Sequence, residues 1–169
     1  IDAMTDVYIN SFGNANRGSH IAGVRASLIM DETRSSVKDF IGAKDKKNIV
    51  FTKGATEALN IIVYSYAINN LNEGDEILIG IDSHHSNLVP WKVLCSNRGI
   101  KLNYFYVDKF GEILIDDFLN KLERKPKIVS FTPVTNTFGV VHDYKTIIQK
   151  SKEFGAKVLV DASQSMTHI

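Results

Sequence analysis

The sequence predicts an α/β fold: a mostly parallel sheet covered by helices on both faces. Three observations carry this expectation. Short apolar runs alternate with longer stretches of helical period, glycines or turn residues mark most of the switches, and polar residues capable of chemistry recur just after the apolar runs. Strands separated by helices are joined by crossovers, which make neighbouring strands parallel. The 169 residues, 44% hydrophobic and 23% charged, are enough for one globular domain with a sizeable core and argue against disorder.

The elements follow in order. Val24, Leu28, Ile29, Val37 and Ile41 keep a helical period from about Ile21 to Phe40. Ile49-Val50-Phe51 reads as a short strand, after which Gly54 opens a helix with Leu59, Ile61, Ile62 and Tyr66 on its apolar face. Asn72-Glu73-Gly74-Asp75 is a turn leading into a strand over Glu76 to Gly80. Asn87 to Arg98 reads as a helix closed by Gly99, and Lys101 to Val107 as a strand that turns at Asp108 to Gly111. A short helix over Ile115 to Glu123 precedes a strand over Lys127 to Thr132. The last pair is a helix from Asp143 to Phe154, stopped by Gly155, and a buried strand from Lys157 to Val160.

Bulk properties exclude several functions. A formal net charge of +1 gives no whole-chain electrostatic case for binding nucleic acid or a membrane. The three lysines around Asp45, at Lys44, Lys46 and Lys47, read as a solvated loop. A single cysteine, Cys95, permits no intramolecular disulfide and no cysteine metal cluster, which suggests a reducing compartment, cytoplasmic or organellar. Cys95 itself sits among apolar residues of a helix and reads as a small buried hydrophobe. No apolar run approaches a membrane span, and no secretory signal opens the chain. Ile1 to Asn10 reads like the middle of an element, and the chain stops soon after the apolar Val158 to Val160. The sequence therefore reads as a piece of a longer polypeptide.

In open α/β sheets ligands gather outside the carboxyl ends of the strands. Four such ends carry polar groups: Thr52 to Glu57, Asp82 to His85, Thr132 to Asn136, and Asp161 to Gln164. Gly54-Ala55-Thr56 at a helix start leaves backbone N–H groups free for an anion and adds a hydroxyl. By itself the segment reads better as an ordinary N-cap, and it has neither a Walker ending nor a GxGxxG spacing. Asp161 follows a wholly apolar strand, so its carboxylate suits either a protonated pyridine nitrogen or the cap of the next turn. Gln164 is placed either to hydrogen-bond a ring hydroxyl or to complete a capping box. His84 or His85 is suited to stack on an aromatic cofactor and shuttle protons. Metal ligation is disfavoured because adjacent histidines diverge there and no third ligand has suitable spacing. His20, His142 and His168 read as structural.

Taken together, Thr52 to Asn60, His84-His85-Ser86-Asn87-Leu88-Val89-Pro90-Trp91, Thr135-Asn136-Thr137-Phe138-Gly139 and Val160 to Gln164 resemble the class V aminotransferase family of pyridoxal phosphate (PLP) enzymes. Within it, the HHxNxVPW pattern is similar to the cysteine desulfurase and selenocysteine lyase branch. Asn16-Arg17-Gly18-Ser19-His20 resembles that branch's HRGxH segment, with Asn16 in place of the usual histidine. The resemblance implies a fold-type-I large domain over 21–169, incomplete, with 1–20 leading into it and a C-terminal small domain absent. It implies that Ala55 and Thr56 hold the PLP phosphate, that His84 stacks on the ring and acts as acid or base, and that Asn136 lies beside the ring. Asp161 would pair with the pyridinium nitrogen and Gln164 with the phenolic oxygen.

By the same resemblance the intact enzyme converts L-cysteine to L-alanine and an enzyme persulfide, supplying sulfur to an acceptor protein for iron-sulfur clusters, and works as a homodimer. The lysine that holds PLP covalently should come shortly after Gln164. The sulfur-accepting cysteine and the arginine for the substrate carboxylate should come later still, so this chain alone is expected to be inactive. Another class V activity (selenocysteine lyase, kynureninase-like hydrolase or epimerase) and a non-catalytic dimerising fragment stay open at this point. A Rossmann nucleotide binder is disfavoured by the missing glycine fingerprint.

Overall fold

The structure is a computed structural model and describes residues 1–16 and 19–168. It divides into two compact units, Ile1–Phe51 and Thr52–Ile169. The first unit holds helix α1 (Asp2–Asn10), helix α2 (Ile21–Ile41) and a 3-10 turn over Lys46–Asn48. His20 caps α2, its Nδ1 accepting from the Gly23 N–H at 3.2 Å, so its role is structural as expected. Gly42 ends α2 in the left-handed region at φ 68°, where a side chain would be strained. Arg17 and Gly18, the centre of the HRGxH-like segment, lie outside the described residues.

The expected strand over Ile49-Val50-Phe51 does not form. Ile49 is extended at φ −94° and ψ 117°, but these residues pair with no strand among the described residues. Val50 and Phe51 are 69% and 42% exposed, and the Arg34 guanidinium lies over the Phe51 ring. An apolar run becomes a strand only when a neighbouring backbone satisfies its N–H and C=O groups, and here that neighbour is missing.

The second unit is the predicted sheet. A continuous helical stretch runs through α3 (Ala55–Ile61), a π-helical segment (Ile62–Ala67) and α4 (Ile68–Asn70). Then β1 (Glu76–Gly80), α5 (His85–Arg98), β2 (Lys101–Phe105), α6 (Ile115–Leu122), β3 (Ile128–Phe131), α7 (Tyr144–Glu153) and β4 (Lys157–Val160) follow. The strands lie in the order β2-β1-β3-β4, and every pairing is parallel. Helix α5 starts at His85, two residues before the predicted Asn87, because His84 supplies the cap. Strand β2 ends at Phe105, short of Val107, because the Tyr106 N–H turns aside to the Asp117 carboxylate at 3.0 Å.

Strand alternation divides the core into two layers. Ile77 and Ile79 face one side, packing with Val63, Ala67, Trp91, Leu94 and Cys95 of the helices over that face. Leu78 faces the other, packing with Phe118, Leu122 and Ile147. The even period of a strand makes this division strict, and helices on both faces explain why β1 is apolar at successive positions. Gly99, at φ 64°, closes α5 as its sequence position predicts. Among the described residues no helix is long and apolar enough to cross a membrane.

Two predictions follow from the core. Phe118 is fully buried and meets the Phe105 ring edge-on at 5.1 Å, so Phe118→Ala should cost about 3–5 kcal/mol in urea unfolding. Burial pushes the Cys95 thiol up to about 11 from 9.0. The folded state therefore holds a proton that the unfolded chain releases, a stabilisation complete below pH 9 and lost as pH rises through 11. The slope of unfolding free energy against pH across that window should flatten in Cys95→Ala.

Candidate functional site

The chain leaves β1 towards β2 and returns to β3 on the other side of β1, so the strand order reverses between β1 and β3. At such a switch point the loops after the two strands splay apart and open a crevice. A cleft of about 230 Å³ lies there. Ala55, Thr56, His84, Asn136, Asp161 and Gln164 all line it, together with Ser86, Thr132, Val134 and Ser163. All six site residues expected from the sequence thus share one cavity, although they come from four separate segments.

The first wall is the start of α3. Gly54 occupies the N-cap position and offers no side-chain cap. Its carbonyl accepts the first helical bond, from the Ala58 N–H at 3.2 Å. The N–H groups of Ala55, Thr56 and Glu57 precede that bond and are the free donors of a helix N-terminus. Glu57, the acid nearest this end, is turned back to accept from the Lys53 N–H at 2.6 Å. A Cβ at Gly54 would meet nothing within 4 Å, so space is open beside this helix start. This end of the cleft suits an anion.

The second wall is the β1–α5 loop. Nδ1 of His84 accepts from the Ser86 N–H at 3.2 Å and lies 2.7 Å from Ser86 Oγ. A backbone N–H can only donate, so Nδ1 is the bare nitrogen and the neutral ring carries its proton on Nε2. Just behind, Asn87 is fully buried; its Oδ1 accepts from Trp91 Nε1 at 3.1 Å and from Ser130 Oγ at 2.9 Å. These bonds fasten the first turn of α5 to β3 and explain the spacing of asparagine and tryptophan within HHxNxVPW.

The third and fourth walls follow β3 and β4. Thr132 Oγ1 lies 3.0 Å from the Asp161 carbonyl and 2.9 Å from that of Val134, bridging the two loops. Asn136 sits in a tight turn held by Thr135, whose Oγ1 accepts from the Phe138 and Val140 N–H groups. Asp161 is 8% exposed. Its Oδ1 accepts from Ser163 Oγ at 2.6 Å and from the Ser163 N–H at 3.2 Å. Its Oδ2 has no protein partner among the described residues, so the carboxylate caps the following turn with one oxygen and leaves the other unbonded on a residue that lines the cleft. Sequence reasoning did not single out Ser86, Thr132 or Ser163. The D-x-S order of Asp161 and Ser163, which favours an Asx turn, was the one local signal available.

Comparison with known proteins identifies the family. The aminotransferase class-V family profile matches residues 1–169. The chain is 37% identical over 169 residues to a cysteine desulfurase of Synechococcus elongatus (strain ATCC 33912 / PCC 7942 / FACHB-805), covering all of this chain and 27% of that protein. It superposes on the apo structure of cysteine desulfurase from Thermococcus onnurineus NA1 with a TM-score of 0.94 and 34% identity, covering 99% of this chain and 41% of that one. A C-DES mutant with glycine covalently linked to its PLP cofactor shares the fold at a TM-score of 0.78 and 20% identity, covering 97% of this chain and 43% of that one. The chain spans 27% to 40% of the length of the first curated relatives it matches.

Ser86→Ala removes the shorter of the two contacts at His84 Nδ1. In nitrogen NMR of the imidazole, the Nδ1–H tautomer should gain population in this variant. An unchanged tautomer ratio would show that the hydroxyl does not set it.

Proposed function

The chain belongs to the aminotransferase class-V family, and on that premise we propose that its cleft binds pyridoxal 5'-phosphate and serves a cysteine desulfurase. The observation that carries this reading is the meeting of an anion-suited helix end, an imidazole and a half-used carboxylate in one cavity. The donor set suits the cofactor. Backbone N–H groups at Ala55 and Thr56, with the Thr56 hydroxyl, would hold the phosphate. Oδ2 of Asp161 would accept from the pyridinium N–H, the amide of Gln164 would donate to the phenolic oxygen, and Asn136 would border the ring.

When bound, PLP supplies an electron sink for charge developing at the α-carbon of an amino-acid substrate. The carboxylate of Asp161 would keep the ring nitrogen protonated, which would sustain that sink. Ser163 holds Oδ1 and so fixes the direction of Oδ2. His84 would cover the ring and would move protons at Nε2, the nitrogen left free of Ser86. In the net reaction, L-cysteine and an enzyme thiol give L-alanine and an enzyme persulfide. The substrate C–S bond breaks, its sulfur joins the thiol sulfur, and a proton ends on the alanine β-carbon.

Cys95 is unsuited to be that thiol, since it is buried and its pKa is pushed up to about 11. The sulfur-accepting cysteine, the covalent lysine and the carboxylate-binding arginine would lie beyond residue 169 in the intact enzyme. In this reading 21–169 form part of the PLP-binding large domain, with 1–20 leading into it. L-cysteine is the substrate, a second copy of the chain and a sulfur-accepting protein are the partners, and iron-sulfur cluster supply is the use.

Pyridoxamine 5'-phosphate tests the site cleanly because it lacks the aldehyde that reacts with surface lysines. Its binding should quench the single tryptophan, Trp91, saturably. Asp161→Ala should weaken it at least about tenfold, the worth of one charge-assisted hydrogen bond. Equal affinity in the variant would remove Asp161 from the site.

A further inference from the structure

Asp82 and His142 form a buried pair outside the cleft. His142 Nε2 lies 2.8 Å from Asp82 Oδ2, and the two side chains are only 1% and 3% exposed. Neither residue lines the cavity. They are 60 residues apart, yet each sits at the root of a segment that does line it. Asp82 comes two residues before His84 and two after the last residue of β1. Gly80 makes room for it, since a Cβ at Gly80 would lie 2.9 Å from Asp82 Oδ1. His142 closes the hairpin that carries Asn136: Val134 bridges to Val141, and the His142 N–H donates to the Pro133 carbonyl at 2.9 Å.

The energetics make stability a poor reason for this pair. Removing two polar side chains from water is costly, and an apolar pair of similar size is often neutral or better. The cost is higher here because His142 Nδ1 is buried without a partner among the described residues. What an apolar pair cannot supply is direction. A hydrogen bond of fixed length and angle joins the β1–α5 loop to the β3–α7 loop across the point where the strand order reverses. A cofactor held from two sides requires the two sides to keep their spacing.

We infer that Asp82 and His142 are positioning residues, a buried clamp that sets the distance between His84 and Asn136 across the ring-binding part of the cleft. The inference rests on the PLP reading for its ligand but on the geometry alone for the clamp. No atom of the pair touches the bound group; it acts through the two loops it joins.

The test pairs an apolar double variant, Asp82→Leu/His142→Leu, with the conservative Asp82→Asn, whose amide oxygen still accepts from Nε2. The readouts are thermal unfolding, amide exchange over 134–141, and pyridoxamine phosphate binding by quenching of Trp91. The double variant should melt at or above the parent temperature yet bind about tenfold more weakly, the loss typical when an orienting outer partner is removed. Its hairpin amides should exchange faster, while those of β1 and β3 hold. Asp82→Asn should bind within about threefold of the parent, short of that tenfold loss. A double variant with parental affinity and exchange, or one that unfolds while Asp82→Asn behaves like the parent only in stability, overturns the clamp. If the parent itself binds no pyridoxamine phosphate, the PLP reading fails, and the exchange measurement still decides the clamp.

Discussion

Parallel pairing between β1 and β3 sets Ile77 beside Ile128, Leu78 beside Val129 and Ile79 beside Ser130. This register brings the carboxyl ends of the two strands to one end of the sheet, although the paired Ile77 and Ile128 lie 51 positions apart in sequence. The reversal of strand order turns their following loops opposite ways. A slip of one residue would turn Leu78 out of the layer it shares with Phe118 and Ile147, and Ile77 and Ile79 out of theirs. Both faces are packed, so the register has no tolerance. The position of the cleft is therefore a consequence of how the core packs, and the polar residues inherit their meeting point from it.

Around that end of the sheet the polar groups hold one another. Asn87 reaches Ser130 through the body of the domain, Thr132 reaches the Asp161 carbonyl, and Ser163 occupies one oxygen of Asp161. Each bond joins a loop or helix start to a strand or to the next loop. Buried hydrogen bonds of this kind add little net stability, but leaving one partner unmatched is expensive, so they exclude alternative arrangements. Side chains that face the cleft are thus held by one another and by buried partners behind them, Asn87 and Ser130.

Much of this was legible in the sequence where local chemistry decides. Gly99 and Gly155 mark helix ends because only glycine enters the left-handed region cheaply, and the Asn72 to Asp75 turn marks the entry to β1. Polar residues following apolar runs placed His84, Asn136, Asp161 and Gln164 at one end of the sheet. The run before Ala55 and Thr56 is no strand, and their grouping with the others rested on the resemblance to class V aminotransferases. What stayed hidden depended on distant partners. Ile49 to Phe51 has the composition of a strand and lacks the neighbour that would make it one. His142 read as an ordinary structural histidine because its partner, Asp82, lies 60 residues away. The start of α5 was misplaced by two residues because histidine is an uncommon cap and its acceptor role depends on Ser86.

The central claim is that four separated segments grip one phosphorylated heterocycle. A titration of the nitrogen-labelled protein with pyridoxamine 5'-phosphate, followed amide by amide, tests it most directly. The account predicts saturable shifts at Ala55, Thr56, His84, Asn136 and Asp161 to Gln164, all fitting one dissociation constant. Shifts confined to one of these segments, or scattered over surface lysines without saturation, would contradict it.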